Sequence, residues 1–311
     1  MSDFVRTVLG DVKPEELGLT LGHEHLITRP ADRLLHEDQG SEDLLLDDED
    51  LAVAELARFH QAGGGALVEL TTKEYGRDAE ALGRIAVRSN IHIVATTGHV
   101  TPYFWAGVLD VDSMSRECLV QEMVEELTMG IGTSGVRAGV IKAGSSRGEI
   151  TETEERVLRA AAAAQKLTGA PITTHTTAGT MATAQARILL DAGADPERVC
   201  IGHLDRSLDF EEQRRLAEEG FRLGYDQTSK DWYEPDSRRI DFIVRLVELG
   251  FGDRVCLSGD LARRSALVSW GGGPGYTHIP HRLVPWLRRA GLGQDAITTL
   301  VSNPAKLLTW S

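Results

Sequence analysis

The sequence predicts a (β/α)8 TIM barrel with a small N-terminal β-hairpin, folded as one domain over residues 1–311. Three observations point there. Eight short apolar runs alternate with helical patterns, and eight such units are the number that closes a parallel sheet on itself. Several of these runs end in His, Lys or Asp, for which a barrel interior packed with branched apolar side chains has no ordinary place. No Ser/Gly-rich linker or low-complexity tract divides the chain. An open doubly wound sheet is the competing architecture. It would favour a glycine-rich phosphate turn after the first strand, and Gly22-His-Glu-His25 is not one.

Residues 4–17 read as the hairpin, with turn signals at Gly10-Asp11 and Pro14. The first core strand covers 18–26. An acidic, loop-like stretch over 35–50 separates it from a helix at 48–61, which carries Leu51, Ala54 and Phe59 and ends at Gly63-Gly64-Gly65. Strand 66–72, a helix at 78–88 and strand 91–97 follow, and a helix near 114–129 leads to strand 138–142. The next helix opens with Thr151-x-x-Glu154, a capping box, and stops at Gly169. Strand 171–175, a helix near 180–192, strand 199–203 and a helix near 209–219 come next. Strand 221–226, a helix at 237–249 and strand 254–260 complete the alternation, with Gly271-Gly-Gly-Pro-Gly275 inside a long eighth loop.

Composition narrows the function. Hydrophobic residues make up 41% and charged residues 26%, an ordinary globular balance, while a net charge of −14 argues against a nucleic-acid partner, which calls for a basic patch. Cys118, Cys200 and Cys256 are odd in number, widely spaced and outside any C-x-x-C pattern. They read as free thiols of a reducing compartment, the last two buried in strands. Residues 1–6 form no apolar signal region and no stretch approaches a membrane span, so the expected location is cytoplasmic, with no membrane partner.

The chemistry gathers at the strand ends. His23 and His25 stand two apart in the first strand, so both imidazoles share a face while Glu24 points away. Lys142, His175, His203 and Asp260 close the fourth, fifth, sixth and eighth runs, where barrel active sites are built. Singly each has a plain use: His175 as a core histidine bonded to a hydroxyl, His203 as a loop histidine, Asp260 as a helix N-cap. Jointly they make a site for divalent cations. Lys142 is the telling member. Burial beside imidazoles and cations drives an ammonium toward the neutral amine, which adds CO2 to give a carbamate, an anionic bridge of two oxygens. A lysine ion-paired to Asp260 without any metal is the alternative.

This order of ligands resembles the amidohydrolase superfamily with a binuclear centre. The segments 17–26, Ala138-Gly-Val-Ile-Lys142, Ile172-Thr-Thr-His175, Ile201-Gly-His203 and Asn303-Pro304 resemble the phosphotriesterase family in particular, over essentially the whole chain. The resemblance implies that His23, His25 and Asp260 hold one metal ion, that His175 and His203 hold the other, and that carboxylated Lys142 bridges both. It implies a homodimer as well. Zinc is the expected metal, with manganese, cobalt and iron suited to the same donors. A hydroxide bridging the ions would attack the substrate, with Asp260 taking its proton. Two departures stand out. Gly259 occupies the place of a histidine found before the aspartate in many members. In loop three Gly98-His99-Val100 intervenes where lactone-hydrolysing relatives carry a tyrosine, with Tyr103 farther on.

Loops seven and eight carry Lys230, Arg263, Arg264 and Tyr276, a set expected to bind an anionic small-molecule substrate. Ion pairs with Asp231 or Asp236 are the plain alternative. These loops resemble the branch that contains phosphorylated sugar-lactone hydrolases and phosphotriesterase-homology proteins. The expected function is therefore opening of a phosphorylated furanose lactone. The alternative is hydrolysis of acyl-homoserine or other hydrophobic lactones, with side phosphotriesterase activity and an apolar entrance built from Trp232, Trp270 and Trp286. A non-catalytic binding protein on a barrel scaffold is the reading from another class. No G-x-S-x-G nucleophile motif occurs.

Overall fold

The computed structural model describes residues 3–37 and 41–310. Residues 38–40 of the expected 35–50 loop, and residues 1 and 2 of the N-terminal segment, lie outside the described residues. Phe4–Thr7 (β1) and Gly10–Val12 (β2) pair as the expected antiparallel hairpin, shorter than 4–17 because Pro14–Glu16 turns as a 3-10 helix. Eight parallel strands follow: Leu19–Glu24 (β3), Gly64–Glu69 (β4), His92–Gly98 (β5), Val140–Ser145 (β6), Ile172–Thr176 (β7), Val199–Ile201 (β8), Arg222–Tyr225 (β9) and Val255–Leu257 (β10). Each pairs with the next in chain order, giving a nearly closed barrel with helices between the strands. Thr309–Trp310 (β11) then pairs antiparallel with β1, a third strand that two residues were too short to announce.

The helices start where side chains can accept the first free backbone N–H groups. Asp48, Asp78, Ser115, Thr151 and Asp209 cap the helices Glu49–Gln61, Ala79–Ser89, Arg116–Thr128, Glu152–Thr168 and Phe210–Glu218. The Thr151–Glu154 capping box forms as expected, and Gly169 ends that helix at φ 78°. None of the helices among the described residues is long and apolar enough to cross a membrane. Cys200 and Cys256 are buried and free, and Cys118 is exposed.

Strand alternation separates two cores. Ala66, Val68 and Leu70 pack with Val94 and Val140 inside the barrel, together with Val5, Leu17, Ala305 and Leu308. Leu67, Ile93 and Ile141 instead join Leu56, Phe59, Leu82 and Ile85 in the layer between strands and helices. Lys142 shares its parity with Val140, so the same alternation that fills the interior carries the lysine into it. In β3 the register slips between Leu21 and Glu24. Leu21 therefore faces the helical layer while His23, two residues on, faces the interior. An irregularity that re-aims a side chain is a common device beside active sites.

The seam between β10 and β3 is closed by individual bonds. Asp260 N–H donates to His23 O at 3.0 Å. The buried Glu24 carboxylate, which does point away from the imidazoles, accepts from Ser258 Oγ (2.6 Å), Gly259 N (2.8 Å) and Leu261 N (2.9 Å). Strands six and eight end earlier than the apolar runs suggest. His203 (φ 57°) and Asp260 (φ 47°) adopt the left-handed backbone region, which ends extended pairing and turns both side chains over the barrel mouth.

Candidate metal centre and active site

A cavity of about 610 Å3 opens at the carboxyl ends of the barrel strands, and His23, His25, Lys142, His175, His203 and Asp260 all line it. The six residues singled out at strand ends thus converge on one place. Donor atoms of His23, His25 and Asp260 lie within 4.8 Å of one another, as do those of His23, His203 and Asp226.

Every imidazole has one nitrogen engaged by the protein and the other turned to the cluster. His23 Nδ1 meets Asp226 Oδ2 at 2.9 Å and its Nε2 lies 3.2 Å from Lys142 Nζ. His25 Nδ1 meets Thr71 Oγ1 at 2.8 Å, and its Nε2 faces Asp260 Oδ1 at 3.1 Å. His203 Nδ1 meets Asp226 Oδ1 at 2.8 Å, and His175 Nε2 meets Thr177 Oγ1 at 3.0 Å. The remaining nitrogens of these last two rings, His203 Nε2 and His175 Nδ1, face each other 2.8 Å apart. Fixing one nitrogen selects the tautomer and frees the other lone pair, the arrangement a metal ligand needs.

The electrostatics agree. Burial, reinforced by the Lys142 charge, lowers the His23 pKa to about 3, and burial with His203 and Lys142 holds His175 well below its usual value, so both rings are neutral. Burial would raise Asp226, but His203 and His23 hold it well below the carboxylate range. Asp260 is likewise pulled down against burial, by Lys230 and His23. Burial lowers Lys142 to about 8. Its closest polar partner is His23, and none of the described carboxylates lies within 4.0 Å of its Nζ, which removes the plain ion pair with Asp260. The lowered pKa raises the share of free amine, the form that adds CO2. The donor set fits divalent cations.

The expected substrate residues divide. Lys230 lines the cavity and donates to Asp260 O (2.6 Å), Gln227 Oε1 (3.0 Å) and Asp260 Oδ2 (3.2 Å). Arg263 also lines it, with Asp43 at 3.5 Å. Arg264 does not. It donates to Leu45 O (2.6 Å), pairs with Asp47 (3.1 Å) and Glu42 (3.3 Å), and lies over the Trp270 ring. Its expected substrate role gives way to that of a clamp on the loop after β3. Tyr276 is also corrected: buried at 2% exposure, its hydroxyl donates to His25 O at 2.6 Å and supports the first strand end. Of the three tryptophans proposed for an entrance, Trp232 alone lines the cavity.

Both sequence departures acquire reasons. A Cβ at Gly259 would stand 2.9 Å from Leu261 Cγ and 3.4 Å from Glu24 Oε1, so this position faces the seam and not the cluster. Asp260 Oδ2 instead receives Gln227 Nε2 at 2.5 Å and Lys230. In loop three His99 turns from the cavity onto Glu74 (3.2 Å) and Glu122 (3.6 Å), and Val100, Tyr103 and Phe104 form the wall. Asp226, Gln227 and Arg206 were missed. Asp226 had a signal, since it closes the seventh apolar run as the other polar residues close theirs.

The chain matches the model of the phosphotriesterase family over residues 3–308. A lactonase of known structure from Listeria monocytogenes is 33% identical, with a TM-score of 0.93 and 99% of each chain covered. The phosphotriesterase homology protein of Escherichia coli, solved with phosphate in its active site, is 32% identical with a TM-score of 0.88, covering 94% of this chain and 99% of that one. An N-acetyltaurine hydrolase of Tetraodon nigroviridis is 33% identical, covering 100% of this chain and 99% of its own length.

Proposed function

Because the chain belongs to the phosphotriesterase family and so is a metal-dependent hydrolase, we propose that it opens the ester of a small lactone bearing an anionic group, with a phosphorylated furanose lactone as the leading candidate. The observation that carries this reading is the cavity floor, where four oriented imidazoles, Lys142 and Asp260 converge beneath cationic side chains. His23, His25 and Asp260 would hold one divalent cation, His175 and His203 a second, and carboxylated Lys142 would join them. When bound, such cations lower the pKa of water toward neutrality and polarise the scissile carbonyl. Asp260, kept ionised beside Lys230, is the group positioned to take up a proton. Asp226 keeps His23 and His203 in the ligand tautomer.

Three things support an anionic substrate: Lys230 and Arg263 in the lining, phosphate in the active site of the Escherichia coli relative, and the sulfonate that N-acetyltaurine carries. The last favours a second reading, hydrolysis of an N-acyl aminosulfonate amide. Hydrophobic lactones have less support, since Trp270 is covered by Arg264. Protein produced with bicarbonate and zinc, manganese or cobalt should carry two metals per chain and gain the mass of one carboxyl group. It should open a five-carbon aldonolactone phosphate faster than the unphosphorylated lactone. Equal rates would remove the anion from the reading, and faster turnover of N-acetyltaurine would select the second one.

A further inference from the structure

Donor accounting singles out one cation in the cavity. An ammonium has three N–H donors, and Lys230 already faces three acceptors, two on Asp260 and one on Gln227. Arg264 is committed outside the cavity, and Arg263 leans on Asp43. Arg206 differs. It closes the short 3-10 helix Leu204–Arg206, and its N–H donates to His203 O at 3.1 Å, so it stands one turn beyond a proposed metal ligand. Its guanidinium carbon lies 3.6 Å from the centroid of the Tyr233 ring, and it lines the same cavity as His175 and His203. At that distance the group rests on the ring face. A guanidinium stacked in this way keeps its N–H edge turned sideways, ready to fork onto two oxygens. Among the described residues none of the carboxylates lies within ion-pair distance of it.

We propose that Arg206, seated on Tyr233, is the subsite for the terminal oxyanion of the substrate, a phosphate, sulfonate or carboxylate, and that it sets a preference for anionic acyl compounds. This rests on the hydrolase reading above and names the residue that reads the anion. Loop six supplies the arginine and loop seven the ring. Tyr233 N–H donates to Lys230 O at 3.0 Å, so the subsite is tied to the same turn that reaches Asp260. A charge-assisted fork that grips ground state and transition state alike acts on KM more than on kcat.

The test compares Arg206→Gln and Arg206→Lys with wild type, each loaded with metal, on an aldonolactone phosphate, the same lactone without phosphate, and N-acetyltaurine. Arg206→Gln should raise KM for the anionic substrates by about tenfold or more, the usual scale for losing a charge-assisted hydrogen bond, with a much smaller rise for the neutral lactone and kcat nearly kept. Arg206→Lys should recover part of the loss. An equal rise in KM for charged and neutral lactones, or none for either, overturns the proposal while leaving the hydrolase intact. Turnover of none of the three by wild type would instead discredit the substrate reading. Ethanesulfonate titrated against tryptophan fluorescence then still decides about Arg206. Weaker binding by Arg206→Gln than by wild type supports the subsite, and equal binding overturns it.

Discussion

At the floor of the cavity each imidazole has one nitrogen taken by a carboxylate or hydroxyl of the protein, whereas at the rim Trp232, Tyr103 and Tyr233 stand 66%, 52% and 40% exposed, with neighbouring rings or an arginine against them. The floor is fixed through strand ends and their hydrogen bonds. The rim is built from the segments that follow the strands, and its side chains meet through ring–ring and guanidinium–ring contacts. A metal site tolerates little positional error, while a rim that selects among small substrates gains from side chains that can adjust. Substitutions at the floor should therefore act on metal content and kcat, and substitutions at the rim on KM or on stability alone.

Lys142→Ala gives the largest expected effect. Loss of the proposed bridge should lower kcat/KM by about 10^3-fold or more and cut metal content below two per chain, read by steady-state kinetics and elemental analysis. Wild-type stoichiometry in the variant would break the assignment of the floor. Asp226→Asn comes next. It touches His23 and His203 without being one of the six proposed ligands, and should weaken metal affinity by about 10–100-fold in chelator competition.

His99 separates wall from floor by pH. Burial would lower its pKa, but Glu122 and Glu74 raise it to about 9. A group raised above its unfolded value of 6.5 contributes fully below that pH, and the contribution is lost as pH rises through about 9. The denaturation midpoint should fall between pH 6 and 10, and His99→Gln should be less stable at pH 6 and show a flatter profile. The smallest effect belongs to Arg264→Gln, with about 1 kcal/mol or less lost in urea unfolding and KM unmoved. A clear rise in KM would return Arg264 to the substrate.

The floor could be read from the sequence because strand periodicity and strand ends are local signals. Val140 and Lys142 share a face whatever the loops do, and Asp226 was legible by the same rule. The rim could not be read in this way. Arg264 sits four residues from Asp260, yet Glu42 and Asp47, more than two hundred residues earlier, claim it. Tyr276 lies in the right loop and spends its hydroxyl on the backbone of His25. Gly259 departs from the histidine of many members, and a side chain there would meet Leu261 and, across the seam, Glu24. Which partner captures a long side chain depends on tertiary geometry that spacing does not encode.

The pairing of Phe4–Thr7 with Thr309–Trp310 bears on how the barrel folds. The Trp310 indole donates to Gly139 O at 3.2 Å, so this short segment ties β1 to the residue just before β6. Without Thr309–Trp310, Phe4–Thr7 would keep one edge covered by its hairpin mate and leave the other bare. The three-stranded sheet at this end of the barrel therefore depends on a pairing of very high sequence separation, the kind of contact that is slow to form.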